Sequence, residues 1–307
     1  MRLKNSDVKK ILLVSLTNIG DVVLTLPVAD ILSEKFPEAR LSILAGPKAR
    51  TLLEGNPLFH RVHIFDKRVK AAEKFALLRE LRAERYDTVV DLRNSWFPVL
   101  AGAKQHTPFF GQKKADGHMK QKHLDRLAAL IPFENEPAQR KGVFISEEDT
   151  RAVAKMLEGA GYFAVIAPGA AAHEKHWAAA KYAALAEALI EKKGLSVVLV
   201  GDQGDSAAAS RVQAACRHPL LNLCGQTTLS ELAAIIRRAA VVVTNDSAPM
   251  HLASYLNAPV VALFGPSDPL KYGPWSQRSY FFNAMKIVEP GQVFDCIRKM
   301  LSHDGPR

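Results

Sequence analysis

The sequence lacks the features of a disulfide-rich, membrane-spanning or metal-bridged protein. Its 307 residues include three cysteines, Cys216, Cys224 and Cys296, whose spacing suggests neither a disulfide framework nor a structural zinc site. No apolar run approaches the roughly 18–20 residues that a membrane-spanning helix needs. No Asp-x-Asp sequence supplies a carboxylate pair for a bridging divalent metal. His118 and His123 lie five residues apart with no cysteine nearby, so we expect ordinary loop histidines, no metal and no cofactor.

A cleavable signal peptide and a dinucleotide fingerprint are also missing. The segment MRLKNSDVKKILLVSL joins positive charge to an apolar run of about six residues, but no small-residue cleavage site follows. We therefore expect a first core strand and a cytoplasmic protein. The turn after this strand contains the single glycine Gly20, whereas the dinucleotide motif requires three glycines.

What the sequence does have is a globular composition and a strongly basic balance. Hydrophobic residues make up 48% and charged residues 23% of the chain, which excludes a disordered protein. The net charge of +10 favours an anionic partner such as a nucleotide, a phosphorylated glycolipid, an acidic membrane surface or nucleic acid. Charge alone does not choose among these partners.

Short β-branched runs alternate with amphipathic stretches in two series. Predicted strands cover 11–16, 40–45, 61–65 and 87–92 in the first half and 163–168, 195–201, 220–225, 239–245 and 258–265 in the second. Predicted helices include 29–36 and 71–86, and the alternation breaks down between 104 and 142. Two βαβ series predict two parallel-sheet α/β domains facing each other across a cleft, with ligands beyond the carboxyl ends of the strands.

The loop after the first predicted strand, SLTNIGD, brings Asp21 into the first turn of a helix. Asp is common near helix N-termini, where it complements the helix dipole, so a structural explanation competes here with a functional one.

Two loops of the second half carry further candidates. In PGAAAHEKHW, Gly169 turns the chain and Lys175 precedes a helix, where an ammonium and free amides suit a phosphate. An exposed lysine without a function is the alternative. In VGDQGDS, Asp205 is placed either to accept hydrogen bonds from a ribose or to cap the next helix.

The segment TNDSAPMH follows the predicted strand 239–245. It puts Asp246 and Ser247 at the start of a helix and His251 about one and a half turns further along. The free N–H groups of such a helix start bind a diphosphate. Each residue alone could be a cap or a packed polar group, but the combination indicates a ligand site.

Four motifs together resemble those of glycosyltransferase family 9, the ADP-heptose:lipopolysaccharide heptosyltransferases. They are IGDVVLTLP, VVDLRNSW, PGAAAHEKHW and TNDSAPMHLASYLNAPVVALFGPSDPLKYGPW, in order over residues 10–300. The resemblance implies a GT-B fold with two Rossmann-like domains and an inverting, metal-independent transfer of heptose from ADP-heptose to the lipopolysaccharide inner core. It implies an acceptor domain over 1–145, a donor domain over 146–287, and a helix over 288–302 that packs back on the first domain.

The resemblance also assigns roles to individual residues. Asp21 matches the proposed general base, Lys175 the lysine on the donor diphosphate and Asp246 a contact to the donor sugar. Positions around the diphosphate and sugar are matched by Ser247, Ala248 and His251, and the loops add Gly169 and Asp205 as donor-binding candidates. The family usually has glycine at the position of Ala248 and often hydroxyl residues at those of Ala170 and Ala171.

Acceptor recognition is expected from a basic set in the first domain, Arg93, Asn94, Lys104, Lys113, Lys114, Lys120 and Lys122. Positive charge there suits a phosphorylated glycolipid and a transient contact with the inner face of the inner membrane. A solvated lysine loop is the alternative.

Two other functions are compatible with the sequence. One is a family 9 transferase with a different acceptor, such as a protein or another glycan, or a different nucleotide sugar. The other is a non-catalytic protein that binds nucleotide sugars. Nucleic acid is not expected as a partner, because an aromatic stacking platform is not evident in the sequence.

Overall fold

The computed structural model describes residues 7–109, 117–170 and 173–302. The chain forms two compact units, which meet in sequence between Phe144 and Ile145. Each unit is built around a parallel sheet.

The first unit contains a five-stranded parallel sheet in the order β3-β2-β1-β4-β5. Its strands are β1 (Lys10–Val14), β2 (Arg40–Ala45), β3 (Arg61–Ile64), β4 (Thr88–Asp91) and β5 (Gln105–His106). Its helices are α1 (Ile19–Lys35), α2 (Arg50–Leu53), α3 (Ala71–Ala83), α4 (Phe97–Leu100) and α5 (Met119–Ala128). Helix α5 packs on α1.

Helix α1 is buried on all sides over its central turns, from Val22 to Leu32, as expected for a helix with apolar residues all around it. Pro27 lies inside the helix and has no N–H, so the carbonyl of Val23 loses its usual helical partner. Two residues earlier, the Thr25 hydroxyl donates to the carbonyl of Val22 at 2.7 Å.

The buried carboxylate of Asp30, on the same helix, holds the end of the first unit. One of its oxygens accepts the N–H groups of Lys141 and Gly142 at 2.9 and 3.0 Å. The side chain of Asn56 donates to the carbonyls of the same two residues at 3.0 and 3.1 Å. Residues 141–142 are therefore fixed to the first unit just before the chain leaves it.

The second unit contains a six-stranded parallel sheet in the order β11-β10-β9-β6-β7-β8. Its strands are β6 (Phe163–Ala167), β7 (Ser196–Leu199), β8 (Leu221–Asn222), β9 (Val241–Asn245), β10 (Val260–Leu263) and β11 (Ser279–Phe282). Its helices are α6 (Glu147–Met156), α7 (Ala179–Lys193), α8 (Ser206–Ala215), α9 (Leu229–Arg238), α10 (Ala248–Tyr255), α11 (Pro269–Tyr272) and α12 (Pro290–Ser302).

The last helix, α12, buries an apolar face inside the second unit. It packs on α7 and β10, with Val293, Phe294 and Ile297 in the same core cluster as Leu185 and Leu263. The packing of this helix on the first unit, which the resemblance implied, remains a prediction.

Parallel strands alternating with helices were predicted correctly, but several elements were not. Helix α1 runs from Ile19 to Lys35, so it joins the first turn predicted around Asp21 to the helical stretch predicted over 29–36. Helix α5 lies within the stretch where the alternation was thought to break down, and the short strands β5 and β11 were not predicted. Over the described ranges, no helix is both long and apolar enough to cross a membrane.

Candidate functional site

An ion pair lies at the carboxyl edge of the second sheet. The ammonium of Lys175, in the 3-10 turn His173–Lys175, lies 2.6 Å from a carboxylate oxygen of Asp246, which follows β9 directly. The side chains retain 27% and 11% of their exposure, so both groups remain accessible to a ligand. The structure thus brings together two residues that the sequence placed in separate motifs.

The start of helix α10 has amide groups that no side chain caps. Ser247 is the residue before the helix, but its hydroxyl contacts Thr244 Oγ1 at 3.0 Å instead of an amide of the first turn. Ala248 is half-buried at the first helical position, and Pro249, which follows, has no N–H to satisfy. The amide nitrogens at this helix start and the helix dipole favour an anion beside Asp246.

His251 is buried on the same helix and does not project freely from it. Its ring lies against Trp275, with ring centroids 5.8 Å apart and an angle of 30° between the planes. The tryptophan therefore fixes the orientation of the imidazole.

Asp205 occupies space that two glycines leave open. A Cβ added to Gly169 would lie 1.9 Å from a carboxylate oxygen of Asp205, and one added to Gly201 would lie 2.7 Å from its Cβ. The other oxygen of Asp205 accepts the N–H of Asp202 at 3.0 Å and closes a capping box at the 3-10 turn Gln203–Asp205, whereas Asp205 makes no side-chain cap to α8. Burial raises the pKa of Asp205, and the neighbouring Asp202 charge adds to the rise although the Asp202 N–H opposes it.

Asp21 is half-buried in the first turn of α1, at the carboxyl edge of the first sheet. Its carboxylate accepts a hydrogen bond from the side-chain amide of Asn18 at 3.0 Å. The Asn18 side chain makes no capping bond to the helix, so these two residues do not form a capping box. The carboxylate is oriented by a neutral donor, which leaves its charge uncompensated by that contact.

Arg93 and Asn94 lie in a tightly held loop after β4, the strand next to β1. The Asp91 carboxylate accepts the N–H groups of Arg93 and Ser95, and Asn94 has a left-handed φ of 58°. Arg126 on α5 donates to the Asp91 carbonyl and to Asn94 Oδ1. Asp21 and this loop therefore share the carboxyl edge of one sheet.

The Arg93 guanidinium is half-buried over the ring of Phe65, 5.6 Å from its centroid. Burial lowers the pKa of Arg93, although the Asp91 carboxylate opposes this. Its Nη1 is buried and has no hydrogen-bond acceptor in the described part of the chain. A buried cationic nitrogen without an acceptor is costly, and an anionic oxygen from a ligand would remove that cost.

The predicted basic set is not one surface, and Lys104 is a correction. Its ammonium binds the Asp87 carboxylate at 2.6 Å, and that carboxylate also accepts the N–H groups of Lys9 and Lys10. Lys104 and Asp87 precede β5 and β4, so the pair lies at the amino edge of the sheet, opposite Arg93.

The other predicted lysines differ in what the structure shows of them. The Lys120 ammonium forms a salt bridge with the Glu136 carboxylate at 2.6 Å, and the Lys120 side chain is 15% exposed. Lys122 is half-buried on α5. Lys113 and Lys114 lie outside the described residues. Arg93 and Asn94 therefore remain the main acceptor-side candidates.

Apolar side chains are exposed beside the Arg93 loop. Trp96 is 70% exposed, and Val99 and Leu100 on α4 are 52% and 41% exposed. Phe109 stacks against Trp96 with a centroid distance of 5.7 Å. We refer to Trp96, Val99, Leu100 and Phe109 as the apolar patch.

Sequence reasoning missed two residues at these sites, Arg126 and Asn245. Arg126 holds the loop after β4 from a helix that was not predicted. Asn245 ends an otherwise apolar strand and was read as part of its core. The available signal was an amide at the carboxyl end of a buried strand, next to Asp246. Within the described ranges, no group of three or more histidine, cysteine, aspartate or glutamate side chains could hold a metal ion.

Comparison with known proteins gives the family. The model of glycosyltransferase family 9 (heptosyltransferase) matches residues 74–297. The chain is 29% identical to lipopolysaccharide heptosyltransferase 3 of Escherichia coli, covering 86% of this chain and 85% of that protein.

Two solved structures share the fold. The glycosyl transferase family 9 of Veillonella parvula has a TM-score of 0.86 and 21% identity, covering 99% of each chain. The ADP-heptose lps heptosyltransferase II of E. coli has a TM-score of 0.82 and 24% identity, covering 97% of this chain and 100% of that one. The predicted GT-B fold, with two parallel-sheet α/β units, is confirmed. The chain belongs to glycosyltransferase family 9 and is a glycosyltransferase, as its motifs predicted.

Proposed function

We propose that this enzyme transfers a heptose from ADP-heptose to an acceptor in the lipopolysaccharide inner core, with inversion at the anomeric carbon. The observation that carries the proposal is the Lys175–Asp246 pair beside the uncapped start of α10, at the carboxyl edge of the second sheet. The names of the relatives support the choice of heptose and of lipopolysaccharide.

The donor diphosphate is bound by Lys175 and by the amides at the start of α10. Asp246 holds the Lys175 ammonium in place before the donor binds, and Asp246 then accepts hydrogen bonds from the sugar. His251, held by Trp275, and the turn at Gly169 complete the surroundings. Asp205 contacts the donor only through Oδ1, because Oδ2 accepts the N–H of Asp202.

The chemical step is a direct displacement. The Asp21 carboxylate takes the proton of the acceptor hydroxyl while that oxygen forms a bond to the anomeric carbon. The bond from that carbon to the diphosphate oxygen breaks, and ADP leaves with the electron pair. The proposal requires the Asp21 carboxylate to reach the acceptor hydroxyl during turnover.

We propose that the step needs no divalent metal, because Lys175 and the helix amides offset the charge on departing ADP. The test is a rate that is unchanged by EDTA and by added Mg²⁺. A rate that falls more than tenfold in EDTA and recovers with Mg²⁺ would assign this role to a metal.

The acceptor is proposed to be an anionic glycolipid bound by the first unit. Residues 1–144 contain 25 lysines and arginines against 16 aspartates and glutamates, whereas residues 145–307 contain 16 against 15. Almost all of the net charge of +10 thus belongs to the unit that carries Arg93. Its unpartnered guanidinium nitrogen suits a phosphate or an acidic sugar.

A transient contact with the cytoplasmic face of the inner membrane is part of the proposal. The apolar patch lies next to Arg93, and exposed tryptophan beside positive charge is typical of side chains at a membrane interface. Cosedimentation with phosphatidylglycerol vesicles tests this contact. Trp96→Gln should reduce binding several-fold, and unchanged binding would remove the patch from the proposal.

The central experiment measures ADP release with ADP-heptose and a truncated core acceptor. Asp21→Asn keeps the shape of the side chain but removes the base, so turnover should fall by about 10²–10⁴-fold. The affinity for ADP, measured by calorimetry, should stay within twofold of wild type. Asp7→Asn, a change in the same unit outside the proposed site, serves as the control. Turnover of Asp21→Asn at a tenth of wild type or better would reject the base assignment.

A different donor is the second candidate, because two methyl groups stand where the family often has other residues. Ala248 begins α10 in place of the usual glycine, and Ala170 replaces a frequent hydroxyl residue. Fewer hydroxyl donors beside the diphosphate could change donor choice. A panel of nucleotide sugars in the same assay separates the two: faster turnover with a donor other than ADP-heptose favours the second candidate.

A further inference from the structure

Asn245, the last residue of β9, is a fully buried polar side chain to which the proposed mechanism gives no role. Its side-chain amide makes four hydrogen bonds. The oxygen accepts from the Tyr182 hydroxyl at 2.9 Å and from the backbone N–H of Trp177 at 3.4 Å. The nitrogen donates to the carbonyls of Pro168 and Gly169 at 2.9 and 3.2 Å.

These partners belong to the segments that carry Gly169 and Lys175. Pro168 and Gly169 form the turn after β6. Trp177 follows Lys175 by two residues, and Asp246 is the next residue after Asn245 itself. One side chain therefore connects the carboxyl ends of β6 and β9 to the segment that presents Lys175.

Trp177 and Tyr182, which donate to the Asn245 oxygen, make further contacts that hold them in place. Trp177 donates its indole N–H to the Val288 carbonyl at 3.2 Å. Its ring meets the ring of Tyr182 edge to face, with centroids 4.9 Å apart. Burial raises the pKa of Tyr182, so its hydroxyl keeps its proton and acts as a donor to Asn245. Both residues that donate to the Asn245 amide oxygen are thus held in place by contacts of their own.

We propose that Asn245 is a positioning residue, which holds Lys175 and Asp246 in the geometry that receives the donor diphosphate. The proposal rests on the donor site assigned above. An amide suits this place because it offers an acceptor to two donors and two N–H groups to two carbonyls in one plane. A carboxylate of the same size would direct negative charge at the Pro168 and Gly169 carbonyls.

Two variants test the role, Asn245→Asp, which loses the N–H groups, and Asn245→Ser, which stays small and polar if the first does not fold. Val243→Ala is the matched control: it creates a cavity in the same buried strand and has no proposed contact with donor. Thermal unfolding, the calorimetric Kd for ADP, and kcat and KM for ADP-heptose are measured on the full chain. The ligand measurements are made well below the lowest midpoint.

We expect the Asn245 variants to raise the Kd for ADP and the donor KM at least tenfold, with a smaller change in kcat. Val243→Ala should lower the unfolding temperature comparably and leave the Kd within twofold of wild type. Binding within twofold of wild type in the Asn245 variants would overturn the proposal. So would an equal loss of binding in Val243→Ala, which would make the effect one of stability alone.

A second readout does not depend on the identity of the donor. The reactivity of the Lys175 amine toward a limiting amount of acetic anhydride, measured by mass spectrometry, reports how firmly Asp246 holds it. Lys175 should be acetylated several-fold faster in the Asn245 variants than in wild type, and at the wild-type rate in Val243→Ala. Unchanged reactivity would overturn the positioning role. If the wild-type protein binds no ADP but the variants show this difference in acetylation, the proposed donor is overturned and the positioning role of Asn245 stands.

Discussion

The Lys175 ammonium pairs with the Asp246 carboxylate at 2.6 Å. In the proposed mechanism, Lys175→Met removes the cation that meets the charge building on departing ADP. We expect kcat/KM for the donor to fall by about 10²–10³-fold, or roughly 3–4 kcal/mol. Lys286→Met, which changes an exposed lysine of the same unit, should leave kcat/KM within twofold. A loss below tenfold for Lys175→Met would remove it from the diphosphate site.

Buried His123 on α5 should make stability sensitive to acid. Burial, reinforced by the charges of Arg126 and His118, lowers its pKa to about 4, and its Nε2 has no acceptor among the described residues. The unfolded chain binds this proton near pH 6.5, so the unfolded state holds more protons between pH 6.5 and 4. Stability should therefore fall as pH is lowered through that window, by about 3 kcal/mol in all.

The check is urea unfolding of His123→Leu at pH 7 and pH 4.5. The variant should lose less stability on acidification than wild type by about 2–3 kcal/mol. His60→Leu, at an exposed histidine, is the control and should follow wild type. Identical acid sensitivity in His123→Leu and wild type would mean that His123 does not govern this window.

Among single residues, the sequence predicted those whose chemistry is set by motif and missed those set by packing. Lys175 and Asp246 are 71 positions apart, and the resemblance gave both roles before the structure joined them. The residues next to Asn245 in the sequence do not distinguish it from any other polar residue at the end of a strand. Its function depends on Tyr182 and on the turn at Gly169, and no local pattern encodes contacts over such sequence distances.

The buried Asp30 carboxylate fixes the end of the first unit to helix α1, the helix that also carries Asp21. Asp30→Ala would leave two N–H groups, those of Lys141 and Gly142, without this acceptor. We expect a loss of about 2–4 kcal/mol in the free energy of unfolding, because each buried unsatisfied donor costs about 1–3 kcal/mol. Urea unfolding monitored by circular dichroism gives the measurement.

Asp30→Asn is the matched comparison, because its amide oxygen can still accept from both N–H groups. It removes only the charge that faces Arg140 at 3.8 Å. Its loss should be less than half of that in Asp30→Ala. Equal losses would indicate that the charge, and not the hydrogen bonds, fixes residues 141–142.

At the scale of elements, the sequence predicted long buried strands well and polar or very short elements poorly. Helix α5, MKQKHLDRLA, has few apolar residues, so its periodicity did not stand out from a basic loop. Strand β5 has two residues, too few for any alternation to register. The turns of α1 between Asp21 and residue 29 gave no amphipathic pattern, because apolar residues surround the helix there.

The uneven distribution of charge between the two units should separate the salt responses of the two substrates. The first unit carries the excess of basic residues, whereas the second is nearly balanced. Between about 50 and 200 mM NaCl, the KM for a phosphorylated acceptor should rise several-fold more than the KM for ADP-heptose. Initial rates at fixed pH test this, with KCl as a check on ion identity. Equal rises for both substrates would contradict the proposed division of roles.

Pro27 divides α1 into an early part that bears Asp21 and a later part that Asp30 ties to residues 141–142. Cooperative helices open as one block when every amide is linked to the next turn, and the missing N–H interrupts that chain of bonds. Amide protons before the proline should therefore exchange with solvent deuterium sooner than those after it. The end of the helix that bears Asp21 could then adjust locally while its far end stays anchored.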